Sequence, residues 1–125
     1  NINPLVQFLE PMGFIDYNAL QSSAYIVLSD SGTISEEASI LNFRALNIRE
    51  AHERPEAMEE ASVMMVGVHK ENIFRGIEEV ISQQIGNQRD FNLVSDCSYP
   101  NVSSKVVRII LSYTSYVNRV VWQKK

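Results

Sequence analysis

The chain is 125 residues long and 45% hydrophobic, with a net charge of −4 and a pI near 5.1. That length and apolar content suit one globular domain with its own core and argue against a disordered chain, while the acidic balance argues against a nucleic-acid partner, which needs a basic surface. No apolar run approaches the roughly 18 residues that span a bilayer, so neither a membrane partner nor a signal peptide is expected.

The chain opens at Asn1 with NINPLVQFLEPMGF, which reads like the middle of a domain; a fragment of a larger protein is expected. Residues 5–9 form a short apolar run that Pro11 interrupts, and a strand is expected there. Residues 16–22, DYNALQS, suit a short helix with Asp16 as its N-cap. Residues 24–28, AYIVL, are a continuous apolar run between turn residues, the pattern of a strand buried on both faces. Residues 33–42 suit a helix, with Ile34, Ala38 and Leu41 recurring at spacings of four and three. Residues 44–48, RALNI, suit the next strand, and residues 49–54, REAHER, a charged loop. Pro55 fits the first position of a helix running to about Glu60. Residues 62–66, SVMMV, suit another strand that Gly67 ends. Residues 70–84 suit a longer helix with Ile73, Ile77, Val80 and Ile81 on one face. Strands alternating with helices predict an α/β fold, a Rossmann-like doubly wound parallel sheet. Residues 86–101 carry turn formers and few periodic apolar residues, and read as an irregular connector.

The tail is helical. Val102, Val106, Ile109, Tyr113, Tyr116 and Val120 follow spacings of four, three, four, three and four, and Ser103 or Ser104 is a possible cap. A second apolar set, Val107, Ile110, Leu111, Val117 and Val121, lies beside the first. Such a helix either packs on this domain's own core or crosses to a partner domain or subunit.

The stretch LSDSGTISEEA, residues 28–38, carries the chemistry. In an open α/β sheet, ligands sit at the carboxyl ends of the strands. DSGT follows a strand and opens a helix. Gly32 permits close approach of a ligand. Ser31 and Thr33 offer hydroxyls, and the helix start offers N–H groups, so an anion such as phosphate fits. Plain capping is the alternative, with Thr33 and Glu36 as a capping box. Capping accounts for Glu36 but not for Glu37, because consecutive helix residues point about 100° apart. Glu37 either accepts hydrogen bonds from sugar hydroxyls or is a solvated surface residue.

A second cluster, REAHERPEAMEE, residues 49–60, follows the next strand and belongs on the same sheet edge. Arg54 precedes Pro55, which restricts its backbone, and suits a bidentate contact to a diphosphate; a solvated loop is the alternative. His52 and His69 lie too far from other ligands to suggest a metal. Cys97 is the lone cysteine, so no internal disulfide exists, which fits a reducing compartment. There is no Ser/His/Asp set and no P-loop or dinucleotide-type glycine loop, so no cofactor is expected.

DSGTISEEA, followed about fifteen residues on by ERPEAMEEASVMMVG, closely resembles the C-terminal domain of non-hydrolysing UDP-N-acetylglucosamine 2-epimerases. Those enzymes carry DSGG-x-QEEA, then TERPE, then an apolar strand ending in glycine. The resemblance covers most of residues 10–85. The tail NVSSKVVRIILSYTSYVNRVVW is further similar to the branch that makes UDP-N-acetyl-L-fucosamine for capsule and O-antigen. Three departures stand out: Thr33 replaces the second glycine of DSGG, Ser39 the proline after EEA, and Arg44 a proline at the next strand.

The resemblance implies two Rossmann-like domains of glycosyltransferase type B with the active site between them. Residues 1–100 would form the UDP-binding domain, and residues 101–125 the helix crossing to the N-terminal domain. Ser31, Gly32 and the Thr33 N–H would bind the UDP diphosphate, Glu37 the ribose hydroxyls, Arg54 a phosphate, and Tyr17 would lie beside the uracil. The family reaction eliminates UDP to a 2-acetamidoglycal and adds it back after proton transfer on the other face of C2. Its acids and bases lie mainly in the N-terminal domain and linker, so this chain holds no catalytic residue of its own. The implied partners are a UDP-sugar substrate, the N-terminal domain and a second copy in a homodimer, with a cytoplasmic location. Two alternatives stay open: a glycosyltransferase of the same fold, and a non-catalytic interaction module that uses the tail helix.

Overall fold

The computed structural model describes residues 2–51, 58 and 60–124. Three short strands, β1 (Val27–Ser29), β2 (Ala45–Asn47) and β3 (Met64–Met65), form a parallel sheet in the order β1-β2-β3. Val27, Leu28 and Ser29 stand opposite Ala45, Leu46 and Asn47, and the last two stand opposite Met64 and Met65. Helices α1 (Phe14–Ser23), α2 (Ile34–Leu41), α3 (Lys70–Val80) and α4 (Val102–Val120) complete the described elements, with a short 3-10 turn at Ser95–Cys97.

The sheet is covered on both faces, as alternation along β2 requires. Successive strand side chains point to opposite faces. Ala45 joins Phe43, Val63 and the α2 residues Ile34 and Ala38 in one apolar cluster. Leu46 joins Val66 and the α3 residue Val80 in a second, with Ile73 and Ile77 packed against it. All three residues of β2 are buried. This is the expected doubly wound arrangement. Gly76 lets α3 approach closely: a Cβ there would stand 2.7 Å from Val66 Cγ1 and 3.1 Å from Leu46 Cδ1.

Strand β1 departs from the expectation of burial on both faces. It is half-buried, and Leu28 is 45% exposed. The helix on Leu28's side of the sheet, α3, packs over β2 instead. The expected strand at residues 5–9 is irregular, with a turn closed by the Val6 N–H on the Asn3 carbonyl at 2.9 Å. A strand needs a neighbour to complete its hydrogen bonds, and none of the described strands lies beside it.

Helix ends also shift. α1 starts with Gly13 as its N-cap, not Asp16, which sits inside the first turn. A carboxylate there still meets the positive end of the helix dipole favourably. α2 buries Ile34, Ser35, Ala38 and Ser39, whereas Leu41, expected on that face, is half-exposed. It ends at Asn42, which takes the left-handed conformation (φ 54°) that asparagine tolerates. Gly67, at φ 70°, follows β3 as expected. α3 ends at Val80 rather than at residue 84. The expected helix from Pro55 to about Glu60 lies largely outside the described residues.

The segment 86–101 is irregular in backbone but tied to α2. The Asn42 amide donates to the carbonyls of Gly86 at 3.0 Å and Gln88 at 2.6 Å. The Arg89 guanidinium donates to the carbonyls of Ser39 at 2.6 Å and Ile40 at 2.7 Å. Those carbonyls belong to the last turn of α2, whose groups lack intrahelical partners. The buried Ser39 hydroxyl accepts the Val94 N–H at 3.0 Å. Arg44 donates twice to the Gln83 carbonyl, at 3.0 and 3.2 Å. Two of the three departures from the family pattern, Ser39 and Arg44, thus anchor the chain that follows α3.

Among the described residues, helix α4 contributes none that is buried. Its N-cap is Asn101, at φ 60°, rather than Ser103 or Ser104. Ile109 is 58% exposed, and the rings of Tyr113 and Tyr116 meet edge to face at 6.3 Å. Among the described residues no helix is long and apolar enough to cross a membrane.

Candidate nucleotide site

The carboxyl end of β1 runs through Asp30–Thr33 directly into α2. The Ser31 N–H turns back onto the Ser29 hydroxyl at 3.0 Å, which fixes the start of the loop. The Thr33 N–H donates to Ser31 Oγ at 3.2 Å. Ser31 Oγ and Thr33 Oγ1 are 2.9 Å apart. Thr33 Oγ1 donates to Glu37 Oε1 at 2.7 Å. Because the Thr33 hydroxyl proton serves Glu37, Ser31 supplies the proton between the two hydroxyls. A continuous relay therefore runs from the loop into the carboxylate of Glu37.

The expected capping box is corrected by this geometry. Thr33 makes no side-chain cap bond to the helix backbone, and its hydroxyl bonds Glu37. The reason is its backbone. A capping residue normally takes the β region, whereas Thr33 is already helical at φ −78°, ψ −12°. Glu37 is likewise not a solvated surface residue. It is half-buried, and its second oxygen accepts the Gln21 amide at 2.6 Å.

Ser31 and Thr33 are exposed residues. Gly32 is half-buried between them. Tyr17 is 40% exposed and lies four residues before Gln21 on α1, on the same helix face by spacing. The structure thus gathers Ser31, Gly32, Thr33 and Glu37 at one strand–helix junction. Arg54 and His52 lie outside the described residues. Among the described residues, no group of three His, Cys, Asp or Glu side chains is placed to hold a metal ion.

Two buried polar residues here escaped the sequence reading. Gln21 is 3% exposed, and its only sequence signal is a polar residue one helical turn from Tyr17. Asn47, also 3% exposed, ends β2 opposite Ser29, and its Oδ1 has no hydrogen-bond partner among the described residues. No periodicity marks it, because a polar residue closing an apolar strand reads as a turn signal.

The arrangement offers hydroxyls and a helix start for an anion, with a carboxylate acceptor one turn further on. The sequence carries the same likeness. Residues 1–111 match the family model described as UDP-N-acetylglucosamine 2-epimerase. The Neisseria meningitidis UDP-N-acetylglucosamine 2-epimerase is 32% identical over 106 residues, covering 85% of this chain and 28% of that protein. The structure of UDP-N-acetylglucosamine 2-epimerase from Rickettsia bellii superposes with a TM-score of 0.89 and 48% identity, covering 94% of this chain and 32% of that one. The Methanocaldococcus jannaschii enzyme, solved in complex with UDP-GlcNAc and UDP, gives 0.72 and 28%, covering 83% and 27%. The chain therefore spans about a third or less of the length of these relatives. With its parallel sheet, covered faces and DSGT junction, the chain belongs to the UDP-N-acetylglucosamine 2-epimerase family.

Proposed function

We propose that this chain is the nucleotide-binding part of a UDP-N-acetylhexosamine 2-epimerase. One observation carries the reading: in a chain of this family, β1 delivers two exposed hydroxyls and a ligand-ready carboxylate to the start of α2. The diphosphate lies against Ser31, Gly32 and the Thr33 N–H. A phosphate oxygen then replaces Ser31 Oγ as the acceptor of that N–H, a charge-assisted and stronger bond. Glu37 accepts the ribose hydroxyls, Tyr17 lies beside the uracil, and Arg54 contacts phosphate.

The reaction inverts C2 of the sugar. A base removes the C2 proton, the bond from C1 to the UDP oxygen breaks, and UDP leaves with the electron pair. A 2-acetamidoglycal with a C1–C2 double bond remains. UDP then adds back at C1 while C2 takes a proton on its opposite face. This chain's residues stabilise the charge that develops on the departing diphosphate. They also hold UDP in place for the return step. The acids and bases belong to an N-terminal domain, and α4 crosses to that domain with its exposed apolar face. The intact enzyme is a cytoplasmic homodimer that supplies a sugar for capsule or O-antigen synthesis.

Calorimetric titration of the intact protein with UDP tests the site. Arg54→Ala is expected to weaken binding by roughly tenfold or more, the loss of one charge-assisted contact. No heat from the unaltered protein would sink the nucleotide reading. NMR of the recovered UDP-sugar should show inversion at C2; transfer of the sugar to an acceptor would point to a glycosyltransferase instead.

A further inference from the structure

We propose that Gln21 is a positioning residue, whose buried amide sets the Glu37 carboxylate in the orientation that reads the ribose hydroxyls. The inference rests on the nucleotide reading above. Gln21 is the one buried residue of α1. Its Nε2 donates to Glu37 Oε2 at 2.6 Å, and its own Oε1 is buried without a partner among the described residues.

That combination is informative. A buried acceptor left unpaired is unfavourable, and an apolar side chain of the same size would avoid it. Packing therefore does not explain glutamine here. The donor to Glu37 does. The orientation of the amide follows too, because an ionised carboxylate only accepts, so the NH2 end must face it.

Glu37 is held from two directions. Thr33, in the loop after β1, donates to Oε1, and Gln21, on α1, donates to Oε2. Each oxygen carries two lone pairs, so each keeps room for one ribose hydroxyl. A glutamate fixed before the ligand arrives loses less rotamer freedom on binding. The choice of an uncharged donor matters as well. An Arg or Lys in place of Gln21 would pair with the carboxylate and compete with the hydroxyls, whereas an amide leaves its full charge available.

The test uses the intact protein with UDP and 2′-deoxy-UDP, measured by calorimetry beside thermal melts. Gln21→Met keeps the volume and removes the donor. Gln21→Asn keeps the amide and withdraws it by one methylene. Both are expected to weaken UDP binding about tenfold, the worth of one hydrogen bond to a charged group. Binding of 2′-deoxy-UDP should fall less, by about threefold, since it keeps only one of the two hydroxyls that Glu37 reads. The melting temperature of Gln21→Met should not fall. In a Glu37→Gln background, Gln21→Met should add nothing further.

Equal losses for the two nucleotides, or an unchanged preference for UDP in both variants, would overturn the proposal. If Gln21→Met does not fold, Gln21→Asn decides. The unaltered protein separates this inference from its parent: no binding of either nucleotide refutes the nucleotide reading, whereas a preference for UDP that Glu37→Gln abolishes and the Gln21 variants keep refutes only the role of Gln21.

Discussion

Helix α2 has eight residues and α4 nineteen, yet the short helix is the one built into the molecule. α2 buries Ile34, Ser35, Ala38 and Ser39, and side chains of Asn42 and Arg89 tie its carboxyl end to the following chain. α4 carries two neighbouring sets of Val, Ile, Leu and Tyr and buries none of them. Half of the buried positions in α2 are serines. Apolar content therefore did not decide which helix was buried. Opposing surface did: α2 has a sheet against it, and α4 has none among the described residues. Helix formation follows from local sequence, but burial needs a partner, and most helix stability in proteins comes from that partner.

Three substitutions in the intact protein would break or sharpen this contrast, each read by urea denaturation. The largest effect is expected at Phe43, 2% exposed between α2 and β2. Phe43→Ala should cost about 3–5 kcal/mol, for lost transfer energy and the cavity left behind. A loss below about 1 kcal/mol would mean that the α2 face of the sheet is not the core. Next is Arg89→Met, which strips two donors from the last carbonyls of α2. About 1–3 kcal/mol should be lost, within the range for bonds from a charged group, discounted for partial exposure. An unchanged midpoint would show that solvent replaces Arg89 at no cost. The smallest effect is expected at Ile109→Ala on α4. If the proposed N-terminal domain covers that face, about 1 kcal/mol should be lost, as for half of an aliphatic side chain. No change would mean that Ile109 stays in water and that α4 does not cross there.

Much of the fold was legible. The runs RALNI and SVMMV, the 3.6-residue spacing of Ile34 and Ala38, and Gly67 after β3 all mark elements that exist. Boundaries were less so. Asp16 looked like a cap because its residue type favours that position, but the helix gained an extra turn from Gly13 onward. At the site, Ser31, Thr33 and Glu37 were legible as a group, since DSGT and the acidic pair fall within one loop and one helical turn. The partner of Thr33 was misread as the backbone of its own helix. A motif of the form T-x-x-E specifies a capping box only when the threonine backbone is extended, and here it is helical. Gln21 was illegible, because its role depends on α1 meeting α2 across 16 positions of sequence.

Residue types and spacing alone thus determined the alternation of strands and helices, the phosphate-suited junction after β1 and the helicity of the tail. These depend on neighbours a few residues apart, which the chain itself supplies. Tertiary structure decided which faces are buried, that segment 86–101 caps α2, and that Glu37 is gripped from two elements. Those contacts join residues between about 4 and 55 positions apart, and only the packing of the sheet brings the distant ones within hydrogen-bond reach.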